Sequence, residues 1–86
     1  HLGEALVARH HAESAADLAA LAAAAHVVAG EQYACVQARR VTDRMRVTLA
    51  SCRADGWKVL VAVAVQPPGW LANLGSTTAY ARAGPV

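Results

Sequence analysis

Five side chains with acid, base or nucleophile chemistry lie close together near the start of the chain. They are His10, His11, Glu13, Ser14 and Asp17. At helical spacing, His10, Ser14 and Asp17 occupy neighbouring faces, which suggests a catalytic triad. However, the histidine of a triad must lie between the other two groups, and a serine in the middle of a helix has no free backbone amides for an oxyanion hole. We therefore expect a solvated helix face and a protein that is not an enzyme.

A metal site is the second chemistry that this segment could support. His10, Glu13 and Asp17 recur at spacings of three and four and could converge on one ion, but His11 points elsewhere and only one histidine contributes. His26 is expected to be a core or interface histidine with one hydrogen bond. The nucleophile elbow, Walker A, dinucleotide-binding and HExxH motifs are absent. We expect neither a metal nor a cofactor.

The two cysteines indicate a disulfide. Cys35 and Cys52 are the only cysteines of an 86-residue chain, and neither has zinc-ligand spacing. A chain this small buries only about 60% of its unfolded surface. Alanine supplies much of the 56% hydrophobic content and phenylalanine is absent, so the core is thin. A Cys35–Cys52 bond would reinforce it and would place the domain in an oxidising compartment.

The charge pattern argues against nucleic acid as a partner. The formal net charge is only +2. The one basic cluster contains Arg39, Arg40, Arg44 and Arg46 and is interrupted by Asp43, as expected of a solvated helix face.

Hydrophobic periodicity predicts one α+β domain over residues 1–86, with two helices before an antiparallel three-stranded sheet. The segments are a long helix over 1–29, a second helix over 31–45 and a sheet over 46–83. Three strands are expected, at 47–52, 57–66 and 77–83. Asp55-Gly56 predicts a hairpin turn between the first two.

The pattern also predicts which faces are buried. We expect the Trp57-to-Val65 face of the second strand to pack on Leu18, Leu21 and Val28, so that the later half of the long helix is buried and the earlier half protrudes as a stalk. The second helix should turn four residues inward: Tyr33, Val36, Val41 and Met45.

A stripe of small residues on the long helix is the predicted contact face for another helix. It consists of Ala5, Ala8, Ala12, Ala15, Ala19 and Ala22. Small side chains let two backbones approach closely, but they offer little hydrophobic area in water. The isolated domain is therefore expected to be monomeric or only weakly associated. Trp70, in a proline-glycine loop, is either a binding anchor or a lid over the core.

Several segments in order resemble the TadE-like proteins of actinobacteria, which are encoded beside tight-adherence pilus and secretion genes. The segments are Ala8-Arg9-His10, Ala12, the run AADLAALAAA at 15–24, the two cysteines, a valine-rich strand, a Pro-Gly loop and the ending ARAGP at 81–85. The family's apolar membrane anchor is not in this sequence, whose longest apolar run is interrupted by His26.

The resemblance implies a non-catalytic, minor pilin-like subunit of a type IV-class pilus or secretion apparatus. Its partners would be other pilus or secretion subunits, and an upstream helix would hold the disulfide-bonded head outside the cell membrane. The alternative left open is a secreted, disulfide-bonded binding protein that acts on an external partner.

Overall fold

The computed structural model describes residues 2–65 and 77–84, and it has the predicted α+β architecture. Two helices and a three-residue 3-10 turn precede three strands. The elements are α1 (Leu2–Ala24), the 3-10 turn (Val27–Ala29), α2 (Glu31–Arg44), β1 (Thr48–Asp55), β2 (Lys58–Val65) and β3 (Thr77–Ala83). The strands form one antiparallel sheet in the order β1-β2-β3. The helices form a second layer, in which α1 packs over β2 and β3, and α2 packs over β1 and beside α1.

The long helix ends five residues before its predicted end at Ala29. The His26 amide donates to the carbonyl of Ala23, three residues back, at 3.0 Å, and this tightens the chain into the 3-10 turn. Gly30 follows with φ +108° and ψ 157°, a conformation that residues with a side chain hardly adopt. Glycine at this position therefore lets the chain reverse from α1 into α2.

The second helix ends in a Schellman motif. The amide of Val47 donates to the carbonyl of Thr42, and the amide of Arg46 donates to that of Asp43. Arg46 occupies the left-handed position of the motif with φ +58°, where glycine is the usual residue. The motif aims the chain into β1 and buries Val47.

The predicted hairpin is confirmed, but the strands around it are shifted. Asp55 pairs with Lys58, so the turn consists of Gly56 and Trp57. Gly56 has φ +63°, and a glycine at the first position of a two-residue turn is typical of type II′. Trp57, predicted to lie inside the sheet, is therefore a turn residue with 59% of its surface exposed, and that prediction is wrong.

The buried face of the central strand is predicted correctly beyond the turn. Val59, Val61 and Val63 are almost completely buried against the helices, and Val65 is half-buried. Strand β1 carries a bulge at Ala50, where the register shifts between Leu49 and Ser51.

The helix face that covers this sheet is not the predicted one. Leu18 and Leu21 are exposed, and Val28 projects from the 3-10 turn with 80% of its surface exposed. The sheet instead receives the opposite face of α1, whose fully or almost fully buried residues are Ala12, Ala15, Ala16, Ala19, Ala20 and Ala23. The valines of β2 supply the bulk of the core, so only small helix side chains fit between α1, the sheet and α2. The prediction that the later half of the helix is buried therefore holds on one face only.

The second helix likewise buries small side chains and leaves larger apolar ones exposed. Tyr33 and Val36 are about half exposed, contrary to the prediction, whereas Val41 and Met45 are half-buried against the core. The residues that α2 buries completely are Ala34, Ala38 and Thr42. The Thr42 hydroxyl donates to the Arg39 carbonyl at 3.0 Å, so this buried polar group is satisfied.

Candidate interaction surface

The reactive side chains of α1 do not form one site. The Nε2–H group of His11 donates to the Met45 carbonyl at 2.7 Å, which ties α1 to the end of α2. Glu13 lies 3.3 Å from Arg9 in an exposed ion pair. No hydrogen bond joins His10, Ser14 or Asp17 to one another in the described ranges, which also contain no cluster of three His, Cys, Asp or Glu side chains that could share a metal ion.

The disulfide is present and fastens α2 to β1. Cys35 and Cys52 are bonded to each other, with Cα atoms 5.8 Å apart and a sequence separation of 17. An open groove of about 540 Å³ runs along this bond between α2 and β1, and Val36 and Arg39 form part of its wall. The disulfide therefore fixes the geometry of this groove as well as the thin core.

Three residues of the predicted alanine stripe pack inside this chain, contrary to the prediction. Ala12, Ala15 and Ala19 have no exposed surface, because they pack inside this chain. As long as the domain keeps this fold, they are not available to a helix of another molecule. Ala22 is half-buried, and the side chains of Ala5 and Ala8 lie outside the described part of the chain.

The larger apolar side chains of the helices lie on the outside instead. Leu18 and Leu21 share the face of α1 opposite the sheet, and the exposed Ala25, four residues after Leu21, lies just beyond the end of the helix. Val28 continues the apolar surface in the 3-10 turn. At its end, the ring of His26 packs edge-on against Tyr33 with centroids 5.5 Å apart. We call Leu18, Leu21, Ala25, Val28 and Tyr33 the outer helix surface.

His26 helps to fix this surface. Its Nδ1–H group donates to the Ala22 carbonyl at 2.9 Å, so the ring is held against the end of α1 while its edge meets Tyr33. The predicted hydrogen bond of His26 is therefore present, but the ring is exposed, so a core position is wrong and an interface position stays a prediction.

The outer face of the sheet carries a second group of exposed large residues. Leu60 lies between Arg53 and Arg82 on the neighbouring strands, and Tyr80 is 80% exposed. A shallow pocket of about 290 Å³ lies among these side chains. It combines aromatic, aliphatic and cationic groups, as binding surfaces commonly do.

The remaining sequence candidates are easily located. Trp70 lies outside the described residues, so its role as an anchor or a lid stays a prediction. Arg39, Arg40 and Arg44 are exposed on α2, as expected of a solvated helix face, and Arg46 is exposed just after the helix. Trp57 is an exposed aromatic side chain that sequence reasoning assigned to the core. Its position directly after Asp55-Gly56 was the signal that it belongs to the turn.

Within residues 2–65 and 77–84, no helix combines the length and apolar character needed to cross a membrane.

Comparisons with known proteins give a partial match. No family model matches the chain, and no solved structure matches it. A curated protein of Mycobacterium tuberculosis named "Apoptosis inhibitor Rv3654c" is 54% identical over 48 residues, which are 56% of this chain and 57% of that protein. The match thus spans little more than half of the relative's length. The chain is similar to this protein over that part, and no family follows from the match.

Proposed function

We propose that this chain is the head of a non-catalytic, minor pilin-like subunit of a tight-adherence pilus or secretion apparatus. The proposal combines the resemblance to TadE-like proteins with the distribution of apolar residues in the fold. In this proposal the head lies outside the cell membrane and contacts other subunits through packing, with no catalytic chemistry.

The observation that carries the proposal is that small side chains fill the core while the larger apolar side chains of α1 lie on the surface. The described core consists of alanines and valines, and its largest fully buried side chains are Val59, Val63 and Thr42. The leucines of α1 lie outside, where Leu18 is 49% and Leu21 60% exposed. Fully burying a leucine contributes about 1.5–3 kcal/mol, and the isolated domain gains only about half of this from each of these residues. Exposed apolar patches of this kind mark interaction surfaces.

The other features fit an extracytoplasmic subunit. A disulfide persists in an oxidising compartment and reinforces a domain that has few large core residues. In this proposal α1 continues an apolar helix that comes before it in the full-length protein and anchors the head in the membrane, as the resemblance implies. Ala5 and Ala8 would face neighbouring helices there.

A complementation experiment tests this function. A strain lacking the gene is complemented with the full-length gene carrying wild-type sequence, Leu18→Asp with Leu21→Asp, or, as a control, Leu60→Asp, which changes a 41% exposed leucine on the outer face of the sheet. We expect the protein in the membrane fraction, fewer pili in the deletion strain, and no restoration by the double variant. Normal piliation in the deletion strain would contradict the proposal.

A secreted binding protein is the second candidate, and one observation favours it. The relative's name assigns that protein inhibition of apoptosis, and an inhibitor must bind a target. For this chain, the outer face of the sheet offers the aromatic and cationic side chains that such binding uses. Protein found in culture medium without a membrane-bound form, together with normal piliation of the deletion strain, would favour this candidate.

A further inference from the structure

The two edge strands of the sheet, β1 and β3, differ in how their unpaired backbone groups are protected. Natural proteins protect an exposed strand edge with bulges, charges or covering side chains, because unpaired backbone groups recruit other strands. Strand β1 has two such devices. The bulge at Ala50 interrupts its register. In addition, the outward-facing amide of Ala54 donates a hydrogen bond to the Glu31 carboxylate at 2.8 Å.

The edge formed by β3 has neither device. The two-residue turn makes Asp55 and Lys58 the first hydrogen-bonded pair, so the backbone groups of Val59, Val61 and Val63 point away from β1 and toward β3. Their partners on β3 are Ala83, Ala81 and Ala79. The alternate residues of β3 therefore direct their backbone groups outward, and these are Thr78, Tyr80 and Arg82.

The outward-facing residues are accessible. Thr78, Tyr80 and Arg82 are all exposed, and β3 has an unbroken register with β2. Within the part of the chain that the structure describes, no strand pairs with the far side of β3, and no side-chain hydrogen bond covers it. Among residues 2–65 and 77–84, this edge is therefore open to a further strand.

We propose that β3 pairs antiparallel with β3 of a second copy of this chain, with Tyr80 on the two-fold axis. The two Tyr80 residues would then form a hydrogen-bonded pair, and Thr78 of each copy would pair with Arg82 of the other. On the paired strands, the two-fold symmetry places no pair of like charges directly opposite each other. The result is a continuous six-stranded sheet.

The helix above this edge is complementary to itself under the same symmetry. Helix α1 runs in the same direction as β3, and Arg9, Glu13 and Asp17 line a groove of about 390 Å³ with Thr78 and Tyr80. A two-fold axis through Tyr80 reverses the second helix, so Arg9 of each copy faces Asp17 of the other. Glu13, near the axis, would face Glu13 of the other copy, and each keeps its own Arg9 at 3.3 Å, which offsets the repulsion between the two carboxylates.

The spacing of the two helices also fits. Paired strands lie about 4.8 Å apart. Because α1 covers both β2 and β3, its axis lies about half a strand spacing inside the edge strand. The two α1 axes would then be about 10 Å apart, close to the 8–10 Å of packed helices. One strand pair and one helix contact make a small interface, so the dimer should be weak, as expected for the isolated domain.

Sedimentation equilibrium of the 86-residue chain tests this inference, which does not depend on the proposed function. We expect a reversible dimer at submillimolar concentration. Tyr80→Pro should abolish it and leave the circular dichroism spectrum unchanged, because the Tyr80 amide points away from β2. Ala81→Pro, one residue further, should instead lower the melting temperature, because that amide bonds to β2.

Charge reversal distinguishes this dimer from association through another surface. Asp17→Arg should weaken the dimer about tenfold, since two arginines would then face each other between the copies. Adding Arg9→Asp should restore the dimer, because residues 9 and 17 of the two copies again face each other with opposite charges. Glu13 then has the new arginine at position 17 as a cationic neighbour four residues away. The proposal is overturned if the chain stays monomeric at about 1 mM, if the dimer survives Tyr80→Pro, or if the double reversal does not restore association.

Discussion

Placing the same aspartate at two positions on opposite faces of α1 tests the central feature of the fold. Ala19 has no exposed surface, whereas Leu21, two residues away, is 60% exposed. Ala19→Asp would bury an uncompensated carboxylate between the helix and the valines of β2, at a cost of about 3–5 kcal/mol. Leu21→Asp would place the same group in water and should cost about 0.5 kcal/mol, mainly through helix propensity.

The comparison isolates burial, because both variants introduce the same side chain into the interior of the same helix. A chain of 86 residues has a total stability of roughly 4–13 kcal/mol, so Ala19→Asp removes a large share of it or unfolds the domain. Urea unfolding followed by circular dichroism measures both values. If Leu21→Asp unfolds the domain while Ala19→Asp is tolerated, the leucine stripe faces the sheet and the assignment of the faces is wrong.

Four further substitutions test individual elements by thermal or urea unfolding. Cys52→Ser should cost about 3 kcal/mol, because the disulfide joins residues 17 apart in sequence and so restricts the unfolded chain; equal stability of the oxidised and reduced wild type would contradict this. Val61→Asp should unfold the domain, because Val61 is buried, whereas Lys58→Asp should cost at most about 1 kcal/mol, because the exposed carboxylate would lie opposite Asp55; equal tolerance would mean that β2 is inverted. Arg46→Gly should stabilise the domain by roughly 1 kcal/mol by relieving the left-handed backbone, and a loss of stability would argue against the Schellman motif.

The elements themselves were readable from the sequence. The glycine at position 30, the turn at Asp55-Gly56 and the alternation of valines give α2, the hairpin and the buried face of β2 with small errors. These signals are local, because each depends on the backbone freedom of one residue or on side-chain periodicity within one segment. Trp57 shows the limit, since alternation extended one residue too far placed a turn residue in the core.

The faces of the helices could not be read in the same way. Ranking by size assigns Leu18 and Leu21 to the core and leaves the alanines as a surface, whereas the fold does the opposite. The choice depends on how closely α1 approaches the sheet and α2, and on the volume that the valines of β2 already fill. The distance between the helix and the sheet and the volume left by the valines depend on how two segments far apart in sequence fit together in the packed domain.

The interaction surfaces were predictable only in part. The Cys35–Cys52 bond follows from counting cysteines in a small chain, and the structure contains it. The open edge of β3 depends on the order of the strands and on which residues of β3 direct their backbone groups toward β2. Neither property can be deduced from residue types. The outer helix surface follows from the exchange of faces on α1, so it could not be identified before the packing was known.

The most direct measurement of the proposed role is photocrosslinking from position 21 in intact cells. A photoreactive phenylalanine analogue replaces Leu21 in the full-length protein, and the same analogue at the exposed Asp43 serves as the control. We expect crosslinks from position 21 to another subunit of the pilus or secretion apparatus, identified by mass spectrometry, and few from position 43. No crosslink to such a subunit from position 21, in cells that assemble pili, would contradict the assignment of the outer helix surface as the assembly contact.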